Sequence, residues 1–114
     1  MSNITTHVLD TSRGKPAGGV AVVLLRRSPG GELIEIGRGE TDGDGRLRTL
    51  LPPGEALQPA VYLLRFDTGS YFRRHGIEGF YPEVSVVFMV QDPEQHYHVP
   101  LLLSPFGYST YRGS

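Results

Sequence analysis

Cysteine is missing from this chain of 114 residues, and with it disulfides, thiolate metal sites and cysteine nucleophiles. The chain suits a reducing compartment, and the cytoplasm is its expected location. Long apolar runs are also missing. The longest, Val20 to Leu25, falls far short of a membrane span, and Met1 to Ile4 contains no basic region leading into an apolar one. Neither a membrane segment nor an export signal is therefore expected. There is no surplus of charge, with 11 Lys+Arg set against 12 Asp+Glu for a net charge of -1. That balance offers no footprint for a phosphate backbone, so no nucleic-acid partner is expected. Lysine occurs only as Lys15, which precedes Pro16, so no phosphate-cradling Gly-Lys loop exists, and no Gly-x-Ser-x-Gly elbow is present either.

Glycine and proline are plentiful, at 15 and 9, and they divide the chain into short segments rich in β-branched and aromatic residues. The spacing predicts strands over Ile4 to Asp10, Val20 to Arg27, Glu32 to Thr41, Arg46 to Leu51, Ala60 to Asp67, Glu83 to Val90, Gln95 to Ser104 and Tyr108 to Ser114. Thr11 to Gly19 reads as a loop and Asp42-Gly43-Asp44-Gly45 as a tight turn. Thr68 to His75 lacks alternation and predicts one short helix, closed by Gly76. Eight strands without βαβ alternation imply an all-β fold, a two-sheet antiparallel β-sandwich with one short helix, spanning 1–114 as a single domain. A core of 12.5 kDa is too small to enclose a large cavity as well, so a sizeable pocket calls for a second subunit.

His96-Tyr97-His98 is the most informative local pattern. Residues two apart in a strand share a face, so Tyr97, Val99, Leu101 and Leu103 point to the core and both imidazoles point away from it. Three readings remain open: two solvated histidines, a metal site completed by His7 or a carboxylate, or general acid/base chemistry. The last needs a cation nearby. Arg46, just after the Asp-Gly turn, can reach over a sheet end and polarise a carbonyl, although an exposed Arg is the ordinary outcome. Asp42-Gly43-Asp44-Gly45 resembles a calcium loop only superficially, because Arg46, Leu47 and Pro53 occupy positions such a loop cannot spare. Ten of the eleven basic residues are Arg, which suits planar, bidentate recognition.

Several blocks together resemble the transthyretin-like family, and within it the 5-hydroxyisourate hydrolases. They are Thr6-His7-Val8-Leu9-Asp10 with Gly14-x-Pro16, Asp44-Gly45-Arg46, Phe80-Tyr81-Pro82-Glu83, His96-Tyr97-His98-Val99-Pro100 through Pro105, and Tyr108-Ser109-Thr110-Tyr111-Arg112-Gly113-Ser114. The front half alone also resembles accessory prealbumin-like domains of larger proteins. That reading is disfavoured because the chain begins and ends on motif residues. The His-x-His-Val-Pro strand and the terminal Tyr-Arg-Gly-Ser mark the hydrolase branch and are lost from the hormone-carrying branch.

The resemblance implies a transthyretin-like sandwich assembled as a homotetramer, with active sites in the channel between dimers. It also implies hydrolytic ring opening of 5-hydroxyisourate, in purine (urate) catabolism, to 2-oxo-4-hydroxy-4-carboxy-5-ureidoimidazoline, without a metal or organic cofactor. His7, Arg46 and His98 are then the catalytic residues, and His7, Arg46, Tyr111 and Ser114 bind substrate. Adventitious zinc on His7, His96 and His98 stays open, as does the choice of histidine base. The alternative is a non-catalytic small-molecule carrier using the same channel, which should favour an apolar lining over titratable groups.

Overall fold

The computed structural model describes residues 4–114; Met1 to Asn3, part of the stretch read above for an export signal, lie outside the described residues. The chain folds into two packed sheets. One is built in the order β4 (Leu33–Glu40), β3 (Ala21–Arg27), β6 (Ala60–Phe66) and β7 (Val84–Val90). The other contains β1 (Ile4–Asp10), β8 (Tyr97–Ser104) and β9 (Gly107–Thr110), with the two-residue strands β2 (Lys15–Pro16) and β5 (Arg46–Leu47) sharing the free edge of β1.

Period-two alternation accounts for the core between the sheets. Ile4 and Val8 on β1 and Tyr97, Val99, Leu101 and Leu103 on β8 face Val22 and Leu24 on β3 and Tyr62, Leu64 and Phe66 on β6, and all are buried. The helix α1 (Thr68–Arg74) closes one end of the sandwich with Tyr71 and Phe72 buried. Asp67 caps it by accepting from the Ser70 amide at 3.2 Å. Beyond it, the Gly76 amide donates to Arg73 O and the Ile77 amide to Phe72 O, a glycine-centred terminus that matches the expected stop.

The sequence reading and the structure differ at four places, each for a physical reason. Lys15–Pro16, expected in a loop, pairs with Asp10 and Leu9 as a ninth strand, because β1 is longer than β5 and leaves that stretch of edge open. The strand expected to reach Leu51 stops at Leu47. Leu47 and Leu50 are both buried, and a spacing of three cannot be kept on one face of an extended strand. The last strand ends at Thr110 rather than Ser114, and the chain rejoins β8 only at a single bridge between Gly113 and His98. Pro100 lies within that interruption, where its missing N–H removes a rung, and the Thr110 hydroxyl donates to Pro100 O instead. Finally, β1 and β8 run parallel, whereas every other strand pair is antiparallel. These two strands are joined through the opposite sheet, so no hairpin constrains their direction.

Candidate active site

The parallel register sets the outward face of this sheet. Thr5 lies opposite His98 and His7 opposite Pro100, while on its other edge His7 pairs with Arg46. Two histidines, an arginine and a threonine thus meet on the side of the sheet turned away from the core.

Arg46 is placed by the turn before it. Asp42 Oδ1 accepts from the amides of Asp44 at 2.9 Å and Arg46 at 3.0 Å, and the Gly45 amide donates to Asp42 O. Gly45 adopts a φ of 77°, and a side chain there would collide with Val8 O, so glycine is needed for the turn to press against β1. The Asp42 carboxyl is spent on backbone amides, which hold it below the usual carboxylate range, and this explains why the calcium-like spelling is a turn. The turn also engages His7, whose Nε2 donates to Asp44 O at 2.9 Å.

The terminal tetrapeptide supports the other side. Arg112 stacks its guanidinium over the Tyr97 ring at 4.6 Å and donates to Gln95 Oε1 and His96 O, pinning the start of β8. The Gly113 amide donates to His98 O at 2.8 Å, and a Cβ at Gly113 would meet the His98 ring at 2.6 Å. Glycine at this position lets the chain lie directly against the imidazole and carries Ser114 into the site.

These elements enclose an open cavity of about 210 Å³ lined by Thr5, Thr6, Arg46, Arg48, His96, His98 and Ser114. His98 sits at its centre in chemical terms. Its Nδ1 is bonded to Thr5 Oγ1 at 2.8 Å; in the tautomer that donates from Nδ1 to this hydroxyl, Nε2 is the nitrogen that can accept a proton. Burial, together with the positive charges of His7, His96, Arg46 and Arg48, pushes its pKa below the usual histidine value. A neutral imidazole beside guanidinium groups is the combination needed to deprotonate water and receive negative charge.

Of the residues singled out from sequence, His98, Arg46 and Ser114 line this cavity, and His7 stands beside it on the Asp44 carbonyl. Tyr111 does not. It is 57% exposed and lines a different cavity, with Val86, Phe88, Met89 and Val99, between the sheets' edges. Thr5 and Arg48 escaped the sequence reading, although Thr5-x-His7 and Arg46-x-Arg48 carry the same two-residue spacing that singled out His96-x-His98. Among the described residues, no three His, Cys, Asp or Glu side chains come together in a group that could hold a metal, and no helix is long and apolar enough to cross a membrane.

Comparison with known proteins agrees with this layout. A 5-hydroxyisourate hydrolase of Halalkalibacterium halodurans is 50% identical over 97% of this chain and 97% of its own length. The solved 5-hydroxyisourate hydrolase of Klebsiella pneumoniae superposes with a TM-score of 0.86 at 35% identity, covering 100% of both chains. Sea bream transthyretin, solved in complex with thyroxine, gives a TM-score of 0.90 at 34% identity over 97% of this chain and 94% of that one. The fold is thus common to hydrolases and to a thyroxine-bound protein, so the backbone alone does not distinguish them. The profile of the HIUase/Transthyretin family matches residues 4–113, and the chain belongs to that family.

Proposed function

We infer that this chain is a 5-hydroxyisourate hydrolase. The observation that carries this reading is the outward-facing His98, its pKa lowered by burial and neighbouring positive charge, set beside Arg46 in a polar cavity, in a chain 50% identical to a hydrolase of that name. His98 Nε2 takes a proton from a water molecule as the water oxygen bonds to a ring carbonyl carbon of the substrate. Arg46 receives the resulting oxyanion, and Arg48 adds a second positive charge at the mouth. Collapse of the intermediate breaks the ring C–N bond, and His98 returns its proton to the departing nitrogen as the six-membered ring opens. His7, fixed by the Asp44 carbonyl, keeps Arg46 company on the neighbouring strand and orients substrate, while Ser114 shapes the cavity wall. No cofactor enters these steps.

An open cavity of about 210 Å³ on one chain excludes little water. A homotetramer, in which another copy covers this sheet face, would lower the local dielectric and strengthen both imidazole and guanidinium electrostatics. In such an assembly Tyr111, which does not line its own chain's polar cavity, meets substrate where subunits adjoin. The whole of 1–114 acts as a single domain in this reading, and a cytoplasmic location suits it.

The carrier alternative asks for an apolar lining, whereas this cavity is lined by threonine, arginine, histidine and serine. The test is stopped-flow absorbance on freshly generated 5-hydroxyisourate, where the protein is expected to accelerate decay well beyond the spontaneous rate. Decay at the spontaneous rate, with the ligand bound but unchanged, would leave the carrier in its place.

A further inference from the structure

Thr5 makes contacts that its neighbours do not. Its Oγ1 lies 2.8 Å from His98 Nδ1 and 3.1 Å from His96 Nε2, between two imidazole rings stacked within 18° of parallel. The threonines around it are used differently: Thr6 donates to Val99 O, Thr11 to Leu103 O, Thr41 to Ala17 O and Thr110 to Pro100 O. Each of those hydroxyls ties one piece of backbone to another. Thr5, a residue only 7% exposed, gives its hydroxyl to side chains alone.

A hydroxyl has a single proton to donate. It cannot donate to His98 and His96 at once, so at least one of the two facing nitrogens carries a proton and donates to it, and the hydroxyl proton is then available to the other. The protonation of the two rings is therefore linked through one oxygen. Hydrolysis of an acyl C–N bond also creates a carboxyl group that is ionised at neutral pH, so a proton has to leave the site in each turnover.

We propose that Thr5 is a positioning residue that joins His98 to exposed His96 in a proton relay. The inference rests on the hydrolase reading. In the resting state His98 carries its proton on Nδ1 and donates it to Thr5 Oγ1, and Thr5 donates to His96 Nε2. His98 Nε2 is then the free base. When it takes a proton from water, the Nδ1 proton passes to Thr5, the Thr5 proton passes to His96 Nε2, and His96 releases its Nδ1 proton to solvent. His98 is then neutral with its proton on Nε2. It gives that proton to the departing ring nitrogen as the relay runs back, His96 Nδ1 taking a proton from solvent, His96 Nε2 returning one to Thr5 and Thr5 returning one to His98 Nδ1. The resting tautomer is thus restored while the new carboxyl group releases its proton to solvent.

The test compares Thr5→Val with Thr5→Ser. Valine keeps the branched shape and the strand preference while removing the hydroxyl, and serine keeps the hydroxyl. Thr5→Val is expected to lower kcat about tenfold or more with KM little changed, and Thr5→Ser to restore most of the rate. Nitrogen-15 NMR of the histidine rings reads the link without substrate. Replacing His96 by Gln should move the His98 Nδ1 resonance in the wild-type background and leave it in place in the Thr5→Val background. A His98 Nδ1 resonance that Thr5→Val leaves where it stands in the wild type, an unchanged kcat, or failure of serine to rescue would each overturn the relay. If Thr5→Val loses its fold by circular dichroism, the His96→Gln resonance shift in the Thr5→Ser background decides instead: a shift supports the relay and none overturns it. Wild-type protein that fails to accelerate 5-hydroxyisourate decay removes the hydrolase reading itself. Normal wild-type turnover with an unaffected Thr5→Val rate removes the relay alone.

Discussion

Strand β1 carries a polar cluster at each end, and the two are finished to different degrees. At its C-terminal end Asp10 is fully buried, and its carboxylate accepts from the Ser12 amide and hydroxyl, the Arg13 amide and the Tyr71 hydroxyl. Burial alone would raise its pKa, but these donors outweigh it and hold the carboxyl below the usual range. At the other end His98 has one nitrogen held by Thr5 and the second turned to an open cavity. A buried polar group with every lone pair occupied ties helix α1 to the sheet and is chemically inert. One left with a free lone pair is destabilised in its charged form and available to a substrate. The comparison separates residues that keep the fold from residues that use it.

The sharpest way to break this contrast is to exchange its consequences. His98→Asn is expected to cut kcat by about 10²–10⁴ while leaving the thermal unfolding midpoint nearly unchanged, as read by stopped-flow and circular dichroism. A large loss of stability would mean that the open cluster also supports the fold. Because the His98 pKa is lowered, its neutral form persists to more acid pH than an ordinary histidine. The pH–rate profile should therefore hold its plateau below the usual histidine range and fall only as pH drops through the lowered value.

Tyr71→Phe addresses the closed cluster and should behave in the opposite way. Removing a hydrogen bond to a buried carboxylate is expected to cost about 1.5–3 kcal/mol in urea unfolding, with turnover intact. The sign of the pH effect follows from the lowered Asp10 pKa. Its contribution is present above the ordinary aspartate range and is lost as pH falls through the folded-state value, so the wild type should lose stability on acidification more steeply than Tyr71→Phe. Equal acid slopes would mean that Tyr71 does little to hold the carboxylate.

The smallest effect is expected from a third pair whose geometry is as good as either cluster. Arg38 donates to both Glu35 oxygens at 2.6 and 2.7 Å, but the two side chains stand in water on β4. Arg38→Ala should change neither the unfolding midpoint nor the rate by a measurable amount. A clear loss would show that short distances, rather than burial, govern the contrast.

Much of the site was legible because a period of two is enough to sort faces. Tyr97, Val99 and Leu101 are plainly core residues, and that turns His96 and His98 outward whatever else the fold does. The Asp-Gly turn and the helix ending at Gly76 were legible for a similar reason, since each depends on a few adjacent residues. The shortened β5 was not, because Leu50 leaves the sheet to fill the core between distant strands. Nor was the role of Arg112, which works by lying over the Tyr97 ring.

Sequence by itself determined which residue types face outward, where the turns fall, and that histidine and arginine stand where an apolar carrier lining would be expected. Tertiary structure alone decided which of them meet. The parallel register of β1 on β8 places Thr5 against His98, and the short β5 places Arg46 against His7. Strand pairing joins positions some ninety residues apart, as Thr5 and His98 are, through backbone hydrogen bonds that carry no sequence label. A local pattern can therefore specify the face of each strand, but only packing of the whole sandwich selects its neighbour.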